Sequence, residues 1–316
     1  MRSYLTDLVR FALFAVPVYL LFIIVAGSVS PFSEHRNIKY ARGGYGHLLT
    51  RLQEADTTGA VDILFLGSSH AYRGFDPRVF SAAGYRTFNL GSSSQSPVQT
   101  AWLVERYLDR MAPKLVVMDV FPTTISTEGV EATLNLLSNA PVDGALLDMA
   151  LATRHADVWN TAILATWREL IGANAGFREA VYHSVDQDRY IPGGYVEKGP
   201  IPFIPRSTAS KLEWDPPARQ WAAFLDIMQR LRARGVPVVL LQTPVTRNWQ
   251  FTAAERARLD SLFTPQATAY LDLSAVIVGE EAELFYDGHH MRQATVERFN
   301  ALLLDSLTAR GLLPPQ

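Results

Sequence analysis

The 316-residue chain contains no cysteine, which excludes a disulfide scaffold, a thiol nucleophile and any cysteine-ligated zinc. It also lacks an excess of charge. The formal net charge is −2, and lysine and arginine are scattered without a basic run, so an electrostatic surface for nucleic acid is excluded as a primary role. There is no internal repeat and no low-complexity tract. What remains is 48% hydrophobic and 19% charged, the composition of a folded domain with a sizeable core.

One apolar run stands apart from that background. From Phe11 to Val29, "FALFAVPVYLLFIIVAGSV" carries no charge and as a helix would measure about 28 Å, close to the thickness of a bilayer core. A cleaved signal peptide is the alternative, but its apolar region is usually shorter, and Pro31 follows the small residues "AGSVS" awkwardly for cleavage. The expectation is therefore a retained single anchor over residues 11–30 after a short tail, 1–10. Arg2 and Arg10 precede the span while Arg36, Lys39 and Arg42 follow it, so flanking charge does not set the orientation. Long downstream domains translocate largely regardless of such charges, and an extracytoplasmic domain on a single-pass cytoplasmic (inner) membrane protein is expected.

Residues 31–60 read as a neck, with Gly43, Gly44 and Gly46 ahead of a short helix. From Val61 to the C-terminus, strands and helices alternate. Strands are predicted at Ile63–Leu66, Arg86–Leu90, Leu115–Phe121, Pro237–Gln242 and Ala269–Leu273. In "RQWAAFLDIMQRLRARG", Trp221, Phe224, Leu225, Met228 and Leu231 share one helical face, as do Val296, Phe299, Leu303 and Leu307 in "QATVERFNALLLDSL". That alternation predicts an α/β fold, doubly wound around a mostly parallel five-stranded sheet, in a domain spanning 61–316. The long gap between the third and fourth strands predicts an insertion at about 123–219, largely helical, with the segment "YIPGGYVEKGPIPFIP" as a loop over the site.

The chemistry concentrates at two places. "LFLGSSH" runs a buried strand into Gly67-Ser68-Ser69-His70, and in open α/β sheets reactive groups sit just beyond the carboxyl ends of strands. A serine nucleophile needs a base, and a base needs an orienting acceptor. "YDGHH" supplies both: Asp287 and His290, three apart at the mouth of the last helix, can face the same way as on a first helical turn. Bland alternatives are a strand-to-helix cap for Ser69 and an N-cap for Asp287.

These blocks together resemble the SGNH (GDSL-like) hydrolase superfamily over about Asp62 to the C-terminus, with the insertion unmatched. The resemblance implies Ser69 as nucleophile, Asp287 and His290 completing a triad, and the backbone amides of Ser69 and of Gly91 in "FNLGSSS" as oxyanion donors. The usual Gly-x-Asn-Asp third block is absent, replaced by "VVMDVFPTT"; Thr123, Thr124 or Gln242 are the substitutes by position. The form most similar is the membrane-anchored type of the D-alanyl lipoteichoic acid protein family and of envelope O-acetylation factors. It implies an esterase or O-acyltransferase of the cell envelope, an envelope polysaccharide or lipid as acyl acceptor, a multi-pass membrane acyltransferase as partner, and no cofactor.

An α/β-hydrolase elbow wants Gly-x-Ser-x-Gly, but Ala71 occupies the last position. A metal site from His70, Asp287, His289 and His290 lacks a compact ligand spacing, so no metal is expected. His70, Arg73 and Gln242 are candidate substrate contacts, with an Arg73–Asp76 pair as the alternative use of that arginine. His35, His47, His155 and His183 have no partner close in sequence. A catalytically silent envelope protein that keeps the fold and binds glycan is the competing function.

Overall fold

The computed structural model describes residues 2–29, 37–205 and 214–315. The beginning of the expected neck, residues 30–36, lies outside the described residues.

The chain forms two compact units. The first combines residues 1–42 with 133–178, and the second residues 43–132 with 179–316. In the first unit, helix α1 (Arg2–Ser28) begins well before the expected start of the span, so the polar tail is helical too. Tyr4–Ser28 is long and apolar enough to cross a membrane.

The second unit opens with α2 (Leu48–Ala55) and then builds the sheet. Strands β1 (Ile63–Leu66), β2 (Thr87–Asn89) and β3 (Leu115–Asp119) fall where alternation places them, with shorter ends for β2 and β3. Between them run α3 (Ser69–Gly74), α4 (Pro77–Ala82) and α5 (Pro97–Met111). After α6 (Pro122–Ile125), helix α7 (Val130–Asn139) carries the chain into the first unit, where α8 (Gly144–Ala152) and α9 (Ala156–Leu170) follow. There Leu164 of α9 packs on Ile23 of α1, and a side chain at Gly27 would collide with Leu164.

The predicted insertion is thus two things. Its helical part belongs with α1, while its second part returns as a three-stranded antiparallel sheet, β4 (Tyr182–His183), β5 (Asp188–Ile191) and β6 (Tyr195–Lys198). The expected loop around Pro192 is instead a β5–β6 hairpin, because Gly193 and Gly194 adopt positive φ of 97° and 81° and turn the chain back on itself.

Helix α10 (Ala218–Ala233), β7 (Val238–Gln242), α11 (Ala253–Phe263), β8 (Ala269–Asp272), α12 (Glu281–Leu284) and α13 (Gln293–Ala309) complete the unit. The large sheet is parallel throughout, with order β2-β1-β3-β7-β8. β1, β3 and β7 are buried along their whole length, as strands covered on both faces must be. Ile63, Phe65, Val117, Val239 and Leu241 point into one core with Phe299, Leu303 and Leu307 of α13, the stripe read from the sequence. Because the connections leave β1 toward β2 on one side and β3 on the other, the crevice at their carboxyl ends is the topological switch point of a doubly wound sheet.

The hairpin is held tightly: a Cβ at Gly194 would run into the Asn89 carbonyl, and its φ disfavours any side chain. Gly194→Ala should therefore cost about 1–3 kcal/mol in chemical denaturation, whereas Gly59→Ala, which meets nothing within 4 Å, should stay within about 0.5 kcal/mol.

Candidate active site

Gly67 follows β1 with φ of 136°, and a Cβ there would press on Asp119 and Ala71, so the chain can turn sharply only with glycine. Ser68 is the N-cap of α3, its hydroxyl accepting from the His70 amide at 3.4 Å. Ser69 is consequently the first helical residue. Its amide is one of the helix-start donors with no carbonyl available inside the helix.

The structure brings Ser69, His290 and Asp287 into one hydrogen-bonded chain. The Ser69 hydroxyl donates to His290 Nε2 at 2.8 Å, and His290 Nδ1–H donates to Asp287 Oδ2 at 2.8 Å. Asp287 and His290 do not stand on a helical turn, as their spacing suggests, because α13 starts only at Gln293. They occupy a tight loop closed by the Phe285–Met291 bridge, and Asp287 Oδ1 accepts the amides of both His289 and His290 at 2.9 Å. That side-chain-to-backbone turn is what aims the carboxylate at its own imidazole.

Burial pushes the His290 imidazole down to about 4, against the hydrogen bond and negative charge of Asp287, which pull it up. Burial alone would raise the Asp287 carboxyl, but its bonds to His290 and the neighbouring imidazoles outweigh this and hold it well below the usual carboxylate range. The His290 imidazole is thus neutral and the Asp287 carboxyl anionic at neutral pH.

A second polar chain runs alongside. His70 Nδ1 lies 2.9 Å from Thr243 Oγ1, which donates to Asp119 Oδ1 at 3.2 Å, and His70 Nε2 lies 3.0 Å from His289 Nδ1. A consistent proton assignment has His70 Nδ1–H donating to Thr243 and His289 Nδ1–H donating to His70. His70 is thereby a supporting residue rather than an exposed substrate contact. Phe121 and Trp249 pack against His289, and the Trp249 indole N–H is buried against Gly288 without a hydrogen-bond partner among the described residues. Sequence reasoning missed Asp119, Thr243, Phe121 and Trp249; only the places of Asp119 at the end of β3 and of Phe121 and Thr243 just past β3 and β7 signal any of them.

Three expectations are corrected. Arg73 does not contact Asp76, which instead pairs with Arg78; buried, it forms a bidentate bond with Asp188 at 2.9 and 2.7 Å, so its charge is not free for substrate. Gln242 is buried and ties β7 to β3 by donating to the Val120 carbonyl at 2.8 Å. The Gly91 amide donates to Asn89 Oδ1 at 2.9 Å, so as an oxyanion donor it would first have to leave that bond. Gly91 still abuts the Ser68–Ser69 turn, since a Cβ there would sit 2.7 Å from the Ser68 carbonyl. Of the proposed substitutes for the missing asparagine, Thr124 is spent on the Phe121 carbonyl and Gln242 on Val120, while the Thr123 hydroxyl is buried without a partner among the described residues.

Ring nitrogens of His70, His289 and His290 also lie close enough for a metal. Both His290 nitrogens are already taken by Ser69 and Asp287, and both His70 nitrogens by Thr243 and His289. This cluster is therefore better described as a hydrogen-bond network.

No family model matches the chain, and no curated protein does. Among solved structures, the chain is similar to a protein from Bacteroides fragilis described as a candidate acylhydrolase. The identity is 13% and the TM-score 0.40, over 84% of this chain and 98% of that one. It is likewise similar to a GDSL-like lipase from Bacteroides thetaiotaomicron, at 11% identity and a TM-score of 0.40, over 84% and 100% of the two chains. Neither likeness decides the chemistry of this chain, which its own side chains set.

The depressed imidazole gives a signed expectation. A general base works when neutral, so activity on an activated ester should fall only as pH drops below about 5, whereas an ordinary histidine would halve the rate near pH 6.5. A pH profile of kcat/KM with an acid limb at about 6.5 or above would contradict the buried, neutral base.

Proposed function

We propose that the chain is a serine-dependent acyl-ester enzyme of the SGNH type, an ester hydrolase or O-acyltransferase acting on cell-envelope glycan or lipid. The observation that carries this reading is the hydrogen-bonded chain from Ser69 through His290 to Asp287 at the switch point of the sheet. A serine hydroxyl aligned on a neutral imidazole, itself held by a carboxylate, is the arrangement that makes serine a nucleophile.

In the proposed reaction Ser69 Oγ attacks the ester carbonyl carbon as His290 Nε2 takes its proton. Asp287 stabilises the imidazolium, and the Ser69 amide faces the developing oxyanion. Collapse expels the alcohol, which receives the proton from His290, and leaves an acyl-Ser69. Water then regenerates the serine as an esterase; a glycan hydroxyl does so as an O-acyltransferase. Tyr4–Ser28 would anchor the enzyme as a single-pass protein of the cytoplasmic membrane with its catalytic unit outside, where a multi-pass acyltransferase partner would present the acyl group.

A second reading draws on the engaged Gly91 amide and the missing third-block asparagine. With one oxyanion donor short, the chain would be a catalytically silent envelope protein that binds glycan.

Fluorophosphonate labelling of the full-length chain separates the two. Labelling should be lost in Ser69→Ala and kept in Ser68→Ala, and a wild-type chain that never labels would favour the silent reading. Single-turnover acylation should fall by about 10³-fold or more in His290→Ala and strongly in Asp287→Asn, with a milder loss in His289→Ala. An inactive His289→Ala beside an active His290→Ala would overturn the assignment of the base.

A further inference from the structure

In the first unit, α1, α8 and α9 enclose a groove of about 620 Å3, inside the usual range of ligand sites, about 300–1,000 Å3. One wall is the side of α1 that carries Tyr19, Leu20 and Ile24. The other is α9, where Trp159, Ile163, Thr166 and Leu170 follow one another at steps of four, three and four, the spacing of a single helical face, with Leu151 of α8 beside them. Val158, Thr161, Leu164 and Ala165 form the buried face of the same helix. A helix that meets water keeps its charges on the exposed face. Here none of the charged residues of α9, Asp157, Arg168 and Glu169, lines the groove, while Leu151 and Leu170 at its rim are 64% and 78% exposed.

The polar groups of the lining are spent inside the unit. The Tyr19 hydroxyl donates to Asn160 Oδ1 at 2.5 Å, and Asn160 Nδ2 donates to the Asn37 carbonyl at 3.0 Å. The Thr166 hydroxyl donates to the Ala162 carbonyl at 2.8 Å, and the Trp159 indole N–H to the Leu151 carbonyl at 3.4 Å. Among the lining side chains, only the partly exposed Trp167 indole N–H has no partner among the described residues. Hydrocarbon demands such internal pairing of a protein surface, and water does not. The groove therefore offers a ligand apolar contact and almost no hydrogen-bond pattern, which fits an alkyl chain better than a sugar or a peptide backbone. The place of the groove sets the source of that chain. Tyr19 and Leu20 are exposed and lie within the uncharged Phe11–Val29 run, so hydrocarbon covering this side of α1 continues directly onto α9. Leu164 packed on Ile23, with no room for a side chain at Gly27, holds α9 against the same stretch of α1.

We propose, on the reading of α1 as the membrane span, that acyl chains of bilayer phospholipid fill this groove, so that the groove faces of α8 and α9 contact lipid as α1 does. The 15 residues of α9 measure about 22 Å, enough to follow a chain through the hydrocarbon of one leaflet, about 15 Å deep. The open Trp167 indole N–H suits the polar boundary of a bilayer, where tryptophans collect.

The full-length chain in phosphatidylcholine vesicles, with and without bromine along the acyl chains, tests this by tryptophan fluorescence. α1 holds no tryptophan, and the four other than Trp159 and Trp167 all belong to the second unit. Brominated lipid should quench the wild-type chain, and the double variant Trp159→Phe/Trp167→Phe should lose at least about half of that quenching. Leu151→Asp/Leu170→Asp, at largely exposed positions that the fold does not depend on, should lower the quenching of Trp159 and Trp167 about twofold or more. Leu13→Trp in the double phenylalanine background reports on the span itself. Quenching that is unchanged in the double phenylalanine variant overturns the proposal. Quenching at position 13 with none at Trp159 or Trp167 also overturns it while the anchor stands, and leaves the groove to a protein partner or a second copy of the chain. No quenching at any of the three positions overturns the span and the proposal together.

Discussion

The single contact on which the catalytic reading depends is the 2.8 Å bond between the Ser69 hydroxyl and His290, residues separated by 221 positions. Neither side chain could find the other without the sheet. β1 must end in a glycine turn that places Ser69 at the head of α3, and the chain after β8 must loop back through the Phe285–Met291 bridge to the same edge. Parallel pairing of β1, β3, β7 and β8 delivers every carboxyl end to one side, so that the serine turn, Asp119, Thr243 and the Asp287 loop share a crevice. β1, β3 and β7, buried along their whole length, are therefore as much a part of the site as Ser69, His290 and Asp287.

Much of this was legible in the residues. β1 and β7 are apolar runs flanked by turn formers, and parallel α/β strands read that way because both faces are covered. The α13 stripe of Phe299, Leu303 and Leu307 meets the core as its spacing requires. Ser69, Asp287 and His290 could be named because their chemistry is carried by short local patterns. The proximity of the last two was right for the wrong local reason: an Asp287 side chain accepting two amides, rather than a helical turn, sets their geometry.

What the sequence hid is whatever depends on long-range pairing of ordinary residues. Arg73 and Asp188 stand 115 positions apart, and nothing in "AYRGFDP" distinguishes that partner from Asp76, three residues away. The partition of the insertion between the α1 unit and a small sheet was equally unreadable, since the Pro192-Gly193-Gly194 run signals a loop and a hairpin turn alike. The polar chain His70–Thr243–Asp119 belongs to the same class, appearing only once β1, β3 and β7 are side by side.

The claim that Ser69 is an acylated nucleophile is tested most directly by the covalent intermediate itself. Intact-mass spectrometry of the full-length chain quenched with acid during turnover of an activated acetyl ester should show a single acetyl adduct, mapped by peptide sequencing to Ser69. An adduct mapped to Ser68 or to a lysine, or none under conditions where the ester is hydrolysed, would contradict the account.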